Sequence, residues 1–325
     1  MIDCSSIFDG LVLPEATAIR RHPTMESWLR SRPKGLGASE APKVLGLSPY
    51  GGPWSVWARK CLPFEYSAPT ATQQRGHREE ARILEDYAAL TGHRVEGPLG
   101  HLVITGPRPW MRETPDSLIF DGDTWGQGEV KTDRSDLRVC WGRSGQHFGD
   151  WSEAEGEVRE DYATQLYYQL ACTGLPWGLL IVRLSMDDLR WYRLDRDLEV
   201  EAWMLEQLQD FWDLVSRRRS GDVHARPPID DSTGCTKALA RMLGDSAPGE
   251  VAAATQGQIA LVRRWRAMTK LLEGQTERVQ QLKNEVSDSI CEAGLYGIEA
   301  DDWKVLYQKG SGSSRFPRYY PRRSK

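Results

Sequence analysis

Between Glu113 and Asp133 the chain reads Glu-Thr-Pro-Asp-Ser-Leu-Ile-Phe-Asp-Gly-Asp-Thr-Trp-Gly-Gln-Gly-Glu-Val-Lys-Thr-Asp. Asp116, Glu129 and Lys131 in this stretch are the residue types that phosphodiester chemistry uses. Two carboxylates a few ångströms apart repel, and a hard divalent cation relieves the repulsion. Magnesium takes one or two carboxylates and fills its other positions with water and phosphate oxygens. A lysine beside them can orient or deprotonate a water, or neutralise charge growing on a phosphate. Together they are the equipment of metal-assisted hydrolysis.

These side chains converge only if the stretch is a hairpin. Ser117 to Phe120 predicts one strand, Asp121-Gly122-Asp123 a turn, and Trp125 to Thr132 a returning strand. Side chains alternate faces with period two, so Glu129 and Lys131 share a face and Val130 points into a core. Asp116 opens the first strand, near the end that Glu129 and Lys131 occupy on the second. The same hairpin reads equally as an exposed turn with a surface Glu–Lys pair.

Three further segments bear on the choice. Arg75 to Gly92 predicts a helix with Ile83, Leu84, Tyr87, Ala88 and Leu90 on its apolar face. Glu80 precedes Ile83 by three and Leu84 by four, so it shares that face. An inward carboxylate needs a positive partner: a cation shared with Asp116 and Glu129, or an arginine. Earlier, Ser39 is a candidate N-cap for a short helix, Ala41 to Leu45, ended by Gly46. Free N–H groups there, with a hydroxyl and Arg32 close in sequence, suit a phosphate; a plain capped helix with solvated arginines is the alternative. Later, Glu157 to Thr173 predicts a helix with Tyr162 and Gln165 on one side.

In order and spacing these stretches resemble the PD-(D/E)XK nuclease superfamily, and within it the YqaJ-type viral recombinase and lambda exonuclease family. Pro115-Asp116 and Glu129-Val130-Lys131 match the name-giving motif. Gly-Ala-Ser39-Glu followed by Leu-Gly-Leu-Ser-Pro-Tyr50 is similar to the opening motif, Gly76-x-x-x-Glu80 to the second, and Tyr162-x-x-Gln165-Leu-Tyr-Tyr-Gln-Leu-Ala-Cys-Thr-Gly to the third. The resemblance covers roughly residues 28–220. It implies an α+β, restriction-endonuclease-like fold, a mixed β-sheet flanked by helices. It implies a deoxyribonuclease using two Mg2+ (or Mn2+) ions, most simply a 5′→3′ exonuclease on double-stranded DNA ends that serves viral recombination. Asp116, Glu129 and the Val130 carbonyl would hold one ion, and Asp116 with Glu80 a second. Lys131, steered by Gln165, would manage the attacking water. Arg32, Ser39 and Thr114 would hold a 5′-phosphate; Thr114 stands where the family pattern calls for a serine. A single-strand-annealing recombinase and a trimeric homo-oligomer are the partners implied. An endonuclease of the same superfamily and a non-catalytic DNA-binding protein on the same fold remain alternatives.

Composition sets bounds. The 325 residues, 40% hydrophobic and 27% charged, describe an ordinary soluble globule, long enough for one large domain or for a domain with an appendage. No apolar run approaches the roughly 20 residues of a membrane span, and the N-terminus lacks signal-peptide character. Six cysteines are scattered without a Cys-x-x-Cys, which predicts reduced thiols in a cytoplasm and argues against zinc ribbons and an iron–sulfur cluster. With a net charge of −4, any contact with nucleic acid must use local basic patches.

The rest predicts scaffolding. Residues 1–23 read as an arm, Met25 to Arg30 as a helix start, and Trp54 and Trp57 as core. Leu99 to Thr105, Trp177 to Leu184 and Arg190 to Leu194 read as strands, 133–157 as a long loop, and Leu198 to Val215 as an amphipathic helix ending in Arg217-Arg-Arg. The expected domains are 1–225 (nuclease), 226–257 (linker) and 258–325 (extension). In the last, near-heptad spacing predicts a helix from Gln258 to Cys291. Packing against the body is its expected use, with a hairpin arm or an oligomer contact as alternatives. A β-hairpin, Trp303 to Gln308 with Arg315 to Tyr320, and a basic aromatic tail follow.

Overall fold

In chain order the elements begin with β1 (Ile2–Asp3), β2 (Val12–Leu13), β3 (Ala18–Arg21), α1 (Met25–Ser31), β4 (Leu36–Gly37) and α2 (Ala41–Val44). Next come α3 (Pro53–Cys61), α4 (Ala71–Thr91), β5 (Arg94–Glu96), β6 (Leu102–Thr105), β7 (Met111–Glu113), β8 (Ser117–Phe120) and β9 (Trp125–Thr132). Then follow β10 (Gln146–His147), α5 (Glu160–Thr173), β11 (Trp177–Ser185), β12 (Asp188–Asp195), α6 (Leu198–Arg219) and α7 (Thr233–Leu243). The last are α8 (Gln256–Glu292), β13 (Gly297–Glu299), β14 (Trp303–Lys309) and β15 (Arg315–Pro321). This computed structural model describes residues 2–3, 10–63, 71–132, 146–147, 159–185, 187–243, 253–292, 297–299, 303–309 and 315–321. The chain divides into two compact units, 1–246 and 247–325.

The first unit is built on a mixed sheet of order β10-β12-β11-β9-β8-β5. The β8–β9 hairpin is antiparallel, with Ser117 opposite Gly128 and Phe120 opposite Trp125. β11 then runs parallel to β9, with Leu180 opposite Glu129 and Val182 opposite Lys131. Alternation along β11 gives the sheet two buried faces. Leu180, Val182 and Leu184 pack with Leu166 and Leu170 of α5 and with Leu118. Trp177, Leu179 and Ile181 pack with Ile83, Leu84 and Tyr87 of α4 and with Ile119. Val130 packs on the α4 side, so Glu129 and Lys131 belong to the α5 side. Gly126 and Gly128 permit this packing: a Cβ on Gly126 would enter the Trp177 ring, and one on Gly128 would strike Ser117 and Ile119.

A second sheet, β3-β6-β7-β4, carries the segment from Arg32 to Glu40. β4 runs parallel to β7, with Gly37 beside Arg112, so the residues after Gly37 advance alongside those leading to Thr114. Glu40 anchors this segment. Its fully buried carboxylate accepts from the Gly37 N–H at 2.9 Å and from Lys60 Nζ at 2.6 Å, with Arg59 at 3.5 Å and Arg32 at 4.0 Å. Burial pushes the carboxyl up, but Lys60, Arg32 and Arg59 outweigh it and bring it down to about 2. Lys60 has one anion and two cations around it, and burial brings it down to about 8. At neutral pH the pair is therefore ionised. Lys60 also donates to the Arg32 carbonyl, and Arg219 of α6 donates to those of Pro33 and Lys60.

Several expectations change. Ser39 is not an N-cap: it lies within a 3-10 turn, Ala38–Glu40, and Glu40 supplies the carboxylate that closes the turn. The residues before Met25 contribute core, since Leu11 and Leu13 are buried. Leu90 faces out because the turn after Tyr87 leaves the sheet. The segment read as a linker contains α7, whose Cys235 and Ala238 are buried beside Trp54 and Trp57. Ser232 caps it through the Cys235 N–H, and the two indoles hold its approach by donating to the Pro228 and Ala225 carbonyls. Trp141 and Trp151, and with them most of the expected loop, lie outside the described residues.

In the second unit β14 pairs antiparallel with β13 and with β15, forming the expected hairpin. Along α8 Leu261, Trp265, Met268, Leu272, Val279, Leu282 and Val286 are exposed.

Two measurements check these contacts. Gly126→Ala overpacks the sheet against Trp177 and should cost about 1–3 kcal/mol in a denaturant titration. Glu40→Gln strips Lys60 of its anion and should cost about 3–5 kcal/mol, with partial recovery in the Glu40→Gln/Lys60→Met double variant. Because the Glu40 carboxyl is depressed in the fold, its contribution is complete above pH 4.5, its ordinary value, and is lost as pH falls toward about 2. Melting followed across that window should show a steeper acid loss in the parent than in Glu40→Gln.

Candidate nuclease centre

Asp116 ends the segment leading into β8, and the hairpin register sets it against β9. Its Oδ2 accepts the Val130 N–H at 2.8 Å. Glu129, 4% exposed, lies at the floor, while the side chains of Glu80 (14%) and Lys131 (24%) border solvent. Lys131 Nζ donates to Glu129 Oε1, and Gln169 Nε2 of α5 donates to Glu129 Oε2 at 2.7 Å. Glu80 reaches the group from α4, with His77 at 3.6 Å.

The electrostatics follow from three carboxylates sharing a space with one ammonium. Burial pushes Asp116 well above the ordinary carboxyl range, and Glu129 and Glu80 push it further. Burial also raises Glu80, with Glu129 adding to the effect and His77 opposing it. Lys131 shows the reverse: burial works against its charge, but Glu129 and Asp116 outweigh burial and raise its pKa, so it is an ammonium. Beneath this group Glu113 is fully buried, and burial pushes it well above the ordinary range. Burial thus favours its neutral form, and it accepts from Gln127 Nε2 at 2.5 Å.

Among the described residues, no three His, Cys, Asp or Glu side chains converge tightly enough to ligate one ion. Asp116 lies within electrostatic reach of both Glu129 and Glu80. Two carboxylates are what a magnesium ion takes, and Asp116 Oδ2 carries only the single backbone bond from Val130. The donor set thus fits a hard divalent cation.

Beside the carboxylates lies a basic flank. The Arg32 guanidinium stacks on Trp28 at 5.0 Å, and the same indole donates to Thr114 Oγ1 at 3.1 Å. Arg32 and Thr114 thus meet across one ring, with half-buried Ser39 on the adjoining segment. Burial lowers the Lys43 pKa, and Arg59, Arg32 and Lys131 press the same way, so this flank continues to Lys131. Near the lysine, Tyr162 carries Lys131 at 5.5 Å and Arg159 at 4.6 Å over its ring. Arg159 also stacks on Tyr50 at 5.0 Å and is held by Asp161.

Of the residues singled out from sequence, Glu80, Asp116, Glu129, Val130 and Lys131 come together. Gln165 is buried on the same helix but has no hydrogen-bond partner among the described residues. The glutamine that reaches Glu129 is Gln169, one turn later. The resemblance names Gln165 alone; Gln169, four residues on, shares its face. Glu40, Glu113 and Gln127 were missed. Their only signal was a polar residue on an inward strand or turn position, visible once burial is known.

Residues 27–176 match the model of the YqaJ-like viral recombinase domain. Uncharacterized protein YqaJ of Bacillus subtilis (strain 168) is 20% identical over 311 residues, 94% of this chain and 92% of the relative. Two crystal structures are similar in shape. One is LHK-Exo in complex with dAMP, 22% identical with a TM-score of 0.48, covering 60% of this chain and 95% of the other. The second is the alkaline exonuclease LHK-Exo from Laribacter hongkongensis, 21% identical with a TM-score of 0.47 and the same coverage.

Proposed function

We propose that this chain is a divalent-cation-dependent deoxyribonuclease that resects double-stranded DNA ends in the 5′→3′ direction. The observation that carries the reading is the gathering of Glu80, Asp116, Glu129 and Lys131, from four separate positions of the chain, in one shielded space. The match of residues 27–176 to the model of a viral recombinase domain supports DNA as the substrate. The basic flank of Arg32, Lys43 and Arg59 supplies the local attraction for phosphate that a chain of net charge −4 needs. No described helix is long and apolar enough to cross a membrane. Host cytoplasm, where such DNA ends are handled with a single-strand-annealing partner, is the setting that suits this activity.

Each residue has a part. Asp116, Glu129 and the Val130 carbonyl would hold one magnesium or manganese ion, and Asp116 with Glu80 a second. When bound, the ions would supply Lewis-acid polarisation of the phosphate and a more acidic water. Lys131, kept protonated by its carboxylate neighbours, orients the water and neutralises charge growing on the phosphate. Gln169 fixes the rotamer of Glu129 and so the direction in which its free lone pairs point. Arg32, Ser39 and Thr114 hold the terminal 5′-phosphate, which sets the register of the scissile bond.

End-labelled linear duplex and closed circular DNA, each with magnesium, test the reading. The linear duplex should be shortened from 5′-phosphorylated ends and the circle left intact. Cutting of the circle would make the protein an endonuclease, and binding without cleavage would make it a non-catalytic DNA-binding protein. Lys131→Ala should abolish cleavage while calorimetry still detects manganese binding. Gln169→Leu should lower kcat by roughly 10–100-fold, as loss of a ligand-orienting hydrogen bond does, with an unchanged melting temperature.

A further inference from the structure

Several arginines of the first unit are neutralised where they stand. Arg159, Arg183, Arg190, Arg193 and Arg196 each have a carboxylate oxygen at 2.5–3.1 Å. One group of cations differs. Arg20 lies opposite Val103, and Arg112 lies opposite Thr105. Val103 and Thr105 are two apart on β6, so both arginines stand on one face of the second sheet. Buried Ile104, Met111 and Glu113 belong to its other face. The half-buried Arg112 side chain covers Gly35, where a Cβ would come within 2.6 Å of its Cδ. Its Nε is buried without a hydrogen-bond partner. Arg20 and Lys34 are exposed, and among the described residues neither they nor Arg112 has an ion pair. Burial lowers the pKa of His22, and Arg20, Arg112, His101 and Lys34 press it the same way, so three cations and two histidines gather here. A guanidinium keeps its charge in any such setting.

An anion is what this face lacks, and its position says which. Trp28, whose indole carries Arg32 and donates to Thr114, also stacks on His101 at 5.7 Å. The His22 N–H donates to the His101 carbonyl at 3.0 Å, which holds the two histidines side by side. Thr114 follows Arg112 by two residues. The cationic face therefore adjoins Arg32 and Thr114, with one aromatic ring between. We propose that Arg20, Lys34 and Arg112 bind a phosphodiester of the duplex backbone, at a place separate from the cradle of the terminal 5′-phosphate. The proposal rests on DNA being the substrate. A guanidinium can take a phosphate through two parallel hydrogen bonds, and on a chain of net charge −4 such a local patch is what draws a polyanion in. Held there, the duplex would be kept on the protein while its end lies among the carboxylates.

The full-length chain in EDTA, where no end is cut, tests this with fluorescent duplexes bearing a 5′-phosphate or a 5′-hydroxyl. The slope of log Kd against log salt should become shallower by about 1 in Arg20→Gln and by about 1 in Arg112→Gln, as loss of one phosphate contact does. Both variants should keep the parent's ratio of affinities for the two ends, whereas Arg32→Gln should lose it. Arg112→Lys should restore most of the slope, and Arg20→Gln, at an exposed position, should melt with the parent. Parent slopes in Arg20→Gln and Arg112→Gln would overturn the proposal and point to an acidic protein segment as the occupant. Loss of end discrimination in these two variants would overturn it as well, by making them part of the cradle, and so would a parent that binds neither duplex. Binding here needs no cleavage. A protein with the expected slopes that never cuts DNA contradicts the nuclease reading alone, and one that cuts ends with slopes unchanged contradicts the backbone site alone.

Discussion

Charges of one sign resist being gathered where water is scarce, and the candidate nuclease centre is built around that resistance. Glu129 and Glu80 raise the cost of ionising Asp116, Glu129 raises that of Glu80, and burial raises both further. What holds them is backbone pairing. The β8–β9 register is fixed by side chains packed on both sides of the sheet, and it delivers the Val130 N–H to Asp116 wherever the carboxylate would prefer to go. A slip of one residue would turn Glu129 and Lys131 to the α4 face. The glycines at 126 and 128 let that hairpin lie close to Trp177 and Ser117, so the site's precision traces back to two missing side chains.

Around the centre, polarity is graded. Glu113 and Gln127 form a buried, hydrogen-bonded pair, and burial favours the neutral form of Glu113. Lys131 supplies the one ammonium on the carboxylates themselves. Beyond it come Lys43, Arg59 and Arg32, balanced by Glu40 alone. A phosphodiester backbone entering from this flank would meet cations first and carboxylates last, the order in which attraction precedes bond breaking. The rings of Trp28, Tyr50 and Tyr162 carry several of these cations and limit their freedom.

Much of this was legible in the sequence where period and turn chemistry act locally. The hairpin, the shared face of Glu129 and Lys131, the inward lean of Glu80 and the burial of Trp54 and Trp57 followed from alternation, helical spacing and an Asp-Gly turn. What was not legible depends on contacts across long separations. Nothing near Glu40 announces Lys60, and only the folded position of α3 joins them. Gln165 was the glutamine chosen from sequence, and the height of Glu129 relative to α5 gives its hydrogen bond to Gln169 instead. Polar, proline-rich residues after Ala225 look like a linker until two tryptophans more than 160 residues away accept them as packing partners.

The Glu40–Lys60 pair carries a consequence for how sequences of this kind drift. A charge lost at either position strands its mate in a dry interior, whereas losing both together costs little. Lineages that depart from this pair are expected to do so by replacing the two residues jointly. The identities at 40 and 60 should therefore covary across relatives even where the surrounding loop does not.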